Sequence, residues 1–136
     1  MSDTISEQYP GEDKILARAA SQYESSNSDF PIVPDRTALL VIDLQEGFVA
    51  EGVRMWMPQT LRIIPHVKSL IKRSCSLGMP VIFTEHAHDQ SGRDRGLMWD
   101  VPLNQPIREG ALRISAEDVP TYHEIRPLEG EKVILK

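Results

Sequence analysis

Residues 37–43 read Thr-Ala-Leu-Leu-Val-Ile-Asp, an apolar run that ends abruptly at a carboxylate. Continuous apolarity of this kind is typical of a strand buried on both faces of a parallel sheet. Two more short apolar runs, at 79–84 and 131–135, have the same character. Between the first two, apolar residues at helical spacing predict a helix over 61–77 that ends at Gly78. The alternation predicts an α/β fold with a doubly wound parallel sheet in three layers.

The chain is expected to divide into an N-terminal arm over 1–35 and a single domain over 36–136. The arm is rich in Ser, Glu, Asp and Asn. Apolar residues nevertheless recur in it at helical spacing and predict a short amphipathic helix: Ile15, Leu16, Ala19, Ala20 and Tyr23. Because so short a helix is marginal by itself, we expect it to pack on a partner subunit, which favours a homo-oligomer.

The overall charge restricts the class of partner. The 136 residues carry 15 Lys and Arg against 20 Asp and Glu, a formal charge of −5, which argues against nucleic acid or an anionic membrane surface. No apolar run approaches the ~20 residues needed to span a bilayer, and the polar start does not resemble a signal peptide. We therefore expect a soluble, cytoplasmic protein.

Three apolar strands and one clear core helix make only half of a doubly wound sheet. In a complete sheet the strand at 37–42 would be central, and an uncovered apolar edge strand is a hazard that native proteins avoid. We therefore expect the domain over 36–136 to be the first half of a sheet, incomplete at its C-terminal end. A further chain segment or a partner chain would complete it.

Chemistry is expected beyond the carboxyl ends of the strands, where open parallel sheets bind ligands. Asp43 follows the first strand, and Lys136 follows the third. The two are expected to share a poorly solvated cleft in which each stabilises the charged form of the other. A structural ion pair, or an aspartate that only caps the next turn, explains the pattern equally well.

Three segments resemble the isochorismatase-like cysteine hydrolases: TALLVIDLQEGF at 37–48, GMPVIFTEHAH at 78–88 and PLEGEKVILK at 127–136. The resemblance implies a Cys–Asp–Lys triad that cleaves amide-like C–N bonds or, in isochorismatase itself, a vinyl ether. It assigns the aspartate to Asp43 and the lysine to Lys136. The family's nucleophilic cysteine comes after the lysine, so here it is expected beyond Lys136. Cys75 lies on the apolar stripe of the predicted helix and is expected to be a small core residue.

Contacts to a small-molecule substrate are expected from Gln45, Phe48 and Trp99. Gln45 could instead hold the Asp43 loop, and core or lid packing explains both aromatic residues at least as well. No metal or other cofactor is expected. The Asp-x-His pair that some relatives use as metal ligands is missing between Asp43 and Pro65, and His86 and His88 are expected to point to opposite sides of the strand exit.

Two other classes of function stay open. If 136 residues are the natural chain, a hydrolase-like binding or scaffold subunit with an incomplete triad becomes the better interpretation. An aspartyl-phosphate receiver is less favoured. Such proteins need further carboxylates to hold magnesium, and Gln45 stands where the phosphotransferases have a second aspartate.

Overall fold

The computed structural model describes residues 11–25, 32–94 and 109–136. The chain divides into two compact units, Met1–Val33 and Pro34–Lys136. In the first unit, helix α1 spans Glu12–Ser25. Its apolar residues Ile15 and Leu16 are 57% and 59% exposed. The arm therefore contains a helix with apolar side chains in solvent, and its packing on a partner subunit stays a prediction.

The second unit is built on a parallel sheet. Its three strands are β1 (Leu39–Ile42), β2 (Val81–Glu85) and β3 (Lys132–Leu135). They pair in the order β1-β2-β3, with Ile42 beside Thr84 and Thr84 beside Ile134. Because the strands are parallel, their carboxyl ends lie at one edge of the sheet. The predicted α/β fold with a parallel sheet is confirmed.

Two helices connect β1 to β2: the single-turn α2 (Glu46–Val49) and the longer α3 (Pro58–Ser76). Helix α3 begins three residues before the predicted start, because Pro58 occupies a first-turn position where its fixed φ suits a helix and its missing N–H costs nothing. Pro65 lies inside the helix. Two short 3-10 helices, Pro34–Arg36 and His123–Ile125, complete the regular elements of the described residues.

The core lies between α3 and one face of the sheet. Phe83 and Val49 are 1% and 0% exposed at its centre. Ile64 of α3 and Val41 of β1 belong to the same buried cluster. Partly buried apolar residues pack around that cluster: Leu39, Leu44, Phe48, Ala50, Leu61, Val67 and Ile71. This packing holds the carboxyl ends of β1 and β2 in place.

The other face of the sheet is open to solvent in the described residues. Leu40 and Ile42 of β1 are 53% and 58% exposed, and every residue of β3 is exposed. Alternate strand residues point to opposite faces, and α3 covers only the face that carries Val41 and Phe83. The expected burial of the strands on both faces is therefore wrong for the described part of the chain.

Cys75 lies on the exposed side of α3, although the sequence predicted it in the core. The buried side of α3 carries Ile64 and Ser74, whereas Cys75 and Leu70 are exposed. Successive helix residues are rotated by about 100°, so a stripe through Ile64, Val67 and Ser74 turns Cys75 out of the core. The prediction that Cys75 is a core residue is wrong.

Helix α2 is bound tightly to the segment that precedes the second 3-10 helix. Gly47 N donates to Asp118 O at 2.8 Å and Glu46 N donates to Pro120 O at 2.9 Å. A Cβ atom on Gly47 would lie 3.0 Å from both the Asp118 carbonyl oxygen and Leu112 Cδ2. A larger residue here would force these neighbours to move by a few tenths of an ångström, so glycine suits the close approach that holds the loop after Asp43.

Candidate active site

Three strand ends converge at the carboxyl edge of the sheet. Asp43 follows β1, and its backbone N–H donates to Thr84 O in the last part of β2 at 3.1 Å. Lys136 follows β3, and its N–H donates to Glu85 O at 2.9 Å. The backbone ladder thus continues one residue beyond β1 and β3 and places Asp43 and Lys136 on either side of β2.

The Asp43 carboxylate is held on both oxygens. Lys136 Nζ donates to Oδ2 at 2.7 Å, and the Thr84 hydroxyl donates to Oδ1, also at 2.7 Å. The acid and the amine predicted to meet therefore do so. The Lys136 and Asp43 side chains are 49% and 28% exposed. The expected dry cleft is thus wrong for the described residues, because this edge is open to solvent.

These contacts determine the protonation of Asp43. Burial acts to raise the pKa of the carboxyl group, but the hydrogen bonds from Lys136 and Thr84 outweigh it. The positive charge of Lys136 acts in the same direction, so the pKa of Asp43 lies below its usual range. Asp43 is consequently a carboxylate at neutral pH, in the form that can accept a proton.

The backbone at Asp43 is in the left-handed region, with φ at 54°. This conformation costs an L-residue of the order of 1 kcal/mol, although aspartate tolerates it better than most. It ends β1 sharply and turns the chain towards α2. The turn directs the carboxylate back towards Thr84 and Lys136 instead of along the strand.

Gln45 is completely buried beneath this turn. Its amide nitrogen donates to His86 O at 2.8 Å and to Val119 O at 2.6 Å, and its amide oxygen accepts from His86 N at 2.8 Å. Its polar atoms thus bind backbone groups of two other segments. The geometry favours the loop-holding role for Gln45, and a direct substrate contact stays a prediction.

Of the two aromatic residues predicted to contact substrate, the structure describes only Phe48. Phe48 is partly buried and packs against the core cluster. Trp99 lies outside the described residues. A substrate contact by either side chain stays a prediction.

The sequence analysis assigned no site role to Thr84 or Glu85. Thr84 donates to Asp43, and Glu85 Oε1 accepts from Thr121 N at 2.7 Å and from Thr121 Oγ1 at 2.8 Å. Glu85 thereby anchors the segment that packs on α2. Both roles depend on the register of β1 with β2 and on packing, which the sequence alone does not give.

His86 and His88 are on the same side of the strand exit. Their Nε2 atoms are 3.3 Å apart, and their rings meet edge to face with centroids 4.6 Å apart. The expectation that they point to opposite sides is wrong, because residues i and i+2 of an extended chain share a face. Within the described ranges, no cluster of three or more His, Cys, Asp or Glu side chains could hold a metal ion.

The model of the isochorismatase domain matches residues 37–136. The chain belongs to the isochorismatase family. This match covers all three strands and both residues of the Asp43–Lys136 pair.

Among curated relatives of this isochorismatase-family chain, a probable inactive nicotinamidase of Arabidopsis thaliana is 38% identical over 58 residues, which are 43% of this chain and 30% of the relative. Among solved structures, a cysteine hydrolase of Pseudomonas syringae pv. phaseolicola is 25% identical with a TM-score of 0.70, covering 79% of this chain and 49% of that chain.

N-carbamoylsarcosine amidase of Thermoplasma acidophilum is 22% identical with a TM-score of 0.52 and shows the shared fold. The alignment covers 73% of this chain and 50% of the amidase. The isochorismatase-family chain thus spans about half the length of these solved structures and less than a third of the curated relative. Among the described helices, none has the length and apolar character needed to cross a membrane.

Proposed function

We propose that the protein is a cysteine-dependent hydrolase of a small amide-like compound, with Asp43 as its base and Lys136 as its electrostatic partner. The observation that supports this most directly is the 2.7 Å contact between Lys136 Nζ and Asp43 Oδ2 at the carboxyl edge of the sheet. Membership of the isochorismatase-like hydrolase family agrees with it.

In the proposed reaction the Asp43 carboxylate accepts the proton of a thiol, and the Lys136 ammonium stabilises the resulting thiolate. The thiolate forms a C–S bond to the substrate carbonyl carbon, and the C=O electron pair moves onto oxygen. Collapse of this intermediate breaks the C–N bond, and the amine leaves with the proton held by Asp43. Water then cleaves the thioester, with Asp43 accepting a proton from the attacking water and returning it to sulfur.

Cys75 does not supply the thiol in this proposal. Its Sγ lies 3.9 Å from Glu131 Oε1, and Glu131 immediately precedes β3. Lys136 follows the carboxyl end of the same strand, five residues further on. At about 3.3 Å per residue, Glu131 and Lys136, at opposite ends of β3, are roughly 16 Å apart. We therefore place the nucleophilic cysteine in polypeptide outside these 136 residues, following Lys136 or in a companion chain.

The names of two relatives support the proposed substrate class. The amidase among them acts on N-carbamoylsarcosine, and the curated relative is named for nicotinamide chemistry, although it is called inactive. Both compounds carry a small C–N group next to a carbonyl. We propose that the substrate is a primary amide or carbamoyl compound, which Phe48 and Trp99 contact through their apolar side chains while Gln45 holds the loop. We also propose that the protein is a cytoplasmic homo-oligomer.

The test uses the full-length natural protein, whose intact mass shows whether polypeptide continues past Lys136. Ammonia release is measured with nicotinamide and N-carbamoylsarcosine. Replacing Asp43 by Asn or Lys136 by Ala is expected to lower kcat/KM at least ~100-fold, the range for loss of an acid–base group. The matched control is the exposed ion pair Lys68–Glu124, with a 2.9 Å contact, in which Lys68→Ala should leave the rate unchanged.

Iodoacetamide tests the thiol separately. The Cys75→Ser variant is expected to keep both its activity and its inactivation by iodoacetamide. Near-normal rates in Asp43→Asn, or loss of inactivation in Cys75→Ser, would overturn the proposed mechanism.

A hydrolase-like binding subunit is the second candidate, because the curated relative is named as an inactive enzyme. It predicts an intact mass of 15.4 kDa, the mass of this chain alone, and no ammonia release from either amide. The exposed apolar face carrying Leu40 and Ile42 would then bind a companion chain that completes the sheet.

A further inference from the structure

A cavity of about 590 Å³ is lined by α2, by the loop that follows this helix and by residues from the segment 109–118. Cavities of this size are typical of sites for small molecules. Neither Asp43 nor Lys136 lines the cavity. Glu46 of α2 does, whereas Phe48, two residues further on, lies about 200° away around the helix axis. The cavity is therefore separate from the proposed hydrolytic site and from its predicted substrate contacts.

The lining of the cavity carries an excess of negative charge. Four carboxylate groups and two guanidinium groups belong to it. Each guanidinium group is already paired with one of the carboxylates, in the pairs Arg54–Glu109 at 3.2 Å and Arg126–Glu46 at 3.5 Å. The other two carboxylates therefore bring two negative charges to the cavity that neither arginine compensates.

These two carboxylates are Glu117 and Asp118, and no described Lys, Arg or His side chain forms an ion pair with either. Asp118 Oδ2 accepts from Leu112 N at 3.0 Å, whereas Asp118 Oδ1 is buried with no hydrogen-bond partner in the described part of the chain. Because buried polar atoms are almost always hydrogen-bonded, this oxygen indicates a missing donor. The backbone of Asp118 is held by Gly47 N, so this part of the wall is fixed before a ligand binds.

We propose that this cavity binds an alkyl diamine through its ammonium groups. An ammonium group supplies a positive charge and three N–H donors, which are what Glu117 and Asp118 Oδ1 lack. Two such groups match the two uncompensated charges. The rest of the wall is suited to the methylene chain between them, because its residues are small or apolar: Ala50, Gly52, Val53, Gly110, Ala111 and Ala116.

Calorimetric titration of the full-length protein with 1,4-diaminobutane tests the proposal, at low salt and about pH 7.5, where both amines are charged. Wild type is expected to bind one equivalent. Asp118→Asn, which keeps the shape and removes the charge, should weaken binding at least ~10-fold. Glu117→Gln, at an exposed position, should weaken it about 2- to 5-fold. The control Glu129→Gln removes an exposed carboxylate outside the lining and should leave the affinity unchanged.

Amide chemical shifts locate the bound amine independently of its affinity. During the titration the N–H signals of Gly110 and Ala116, which line the cavity, should move. Those of Thr84 and Lys136, at the carboxyl edge of the sheet, should not. Shift changes confined to Thr84 and Lys136 would overturn the proposal, because they would place the amine at the Asp43 carboxylate.

A neutral probe of the same length separates charge recognition from filling of the cavity. Binding of 1,4-butanediol should be undetectable, because this diol has the methylene chain without the ammonium groups. Circular dichroism establishes that each variant is folded. Equal affinity for the diol and the diamine would overturn the proposal, as would the absence of saturable diamine binding in wild type. Unchanged diamine affinity in both Asp118→Asn and Glu117→Gln would overturn it as well.

Discussion

The Thr84 hydroxyl donates to Asp43 Oδ1 at 2.7 Å, on the carboxylate oxygen opposite the one that Lys136 contacts. The relationship arises from the parallel register, in which Ile42 pairs with Thr84 and Asp43 is the next residue. With both oxygens held, the carboxylate has a single orientation. Thr84 therefore acts as a positioning residue for the proposed base.

Replacing Thr84 by Val removes this hydrogen bond with little change of shape. Because hydrogen bonding favours the carboxylate, the pKa of Asp43 should rise towards its usual value. Carboxyl ¹³C chemical shifts followed through an acid titration measure the change. Thr60→Val, which removes a hydroxyl bonded to Phe48 O and Met57 O instead, is the control and should leave the Asp43 titration unchanged. An unaltered Asp43 titration in Thr84→Val would contradict the positioning role.

Acid should lower the free energy of unfolding, because it protonates Asp43 and removes the Asp43–Lys136 ion pair. The folded pKa of Asp43 is depressed, so its stabilisation is complete above the unfolded pKa of about 3.9 and is lost as the pH falls through the folded pKa. Because the pair is partly exposed, its whole contribution is expected to be about 0.5–1 kcal/mol.

Urea unfolding at neutral pH and at about pH 2.5 measures that contribution. Replacing Lys136 by Met should reduce the difference in stability between the two conditions, whereas replacing the exposed Lys72 of α3 by Met should not. An identical acid sensitivity in Lys136→Met and wild type would show that the pair is not coupled to folding.

Replacing Gln45 by Leu should destabilise the fold strongly. The buried amide binds His86 N, His86 O and Val119 O, and its removal leaves these backbone groups without their partner. A buried polar group left unsatisfied costs about 1–3 kcal/mol. Thermal or urea unfolding measures the loss, with Gln59→Leu on the exposed side of α3 as control. Equal stability of the two variants would refute the loop-holding role.

Replacing Gly47 by Ala should loosen the loop between Asp43 and α3. The added Cβ would lie 3.0 Å from both Asp118 O and Leu112 Cδ2, and one of these neighbours is backbone that cannot move easily. Overpacking of this kind typically costs about 1–3 kcal/mol. Urea unfolding gives the cost, and faster hydrogen exchange at Glu46 N and Gly47 N would locate it in α2. A variant as stable as wild type, with unchanged exchange, would rule out the close contact.

The parallel sheet could be predicted because its signals are local. The run ending at Asp43 and the run ending at Thr84 each mark a strand and its terminal polar residue. The meeting of Asp43 and Lys136 followed from parallel pairing, which brings all carboxyl ends to one edge. The exposure of Cys75 was missed, because a shift of one residue around a helix moves a side chain between core and solvent.

The sequence by itself determined the element types, their order and the two charged residues at the strand ends, because periodicity and strand-terminal polar residues are properties of short segments. Only the tertiary structure decided that the Thr84 hydroxyl donates to the Asp43 carboxylate and that the Gln45 amide binds backbone groups of His86 and Val119. It also decided that the rings of His86 and His88 are in contact. Those contacts join residues up to 74 positions apart, as between Gln45 and Val119, or depend on side-chain direction at a strand end. Register and packing set such distances, and neither can be read from a local pattern.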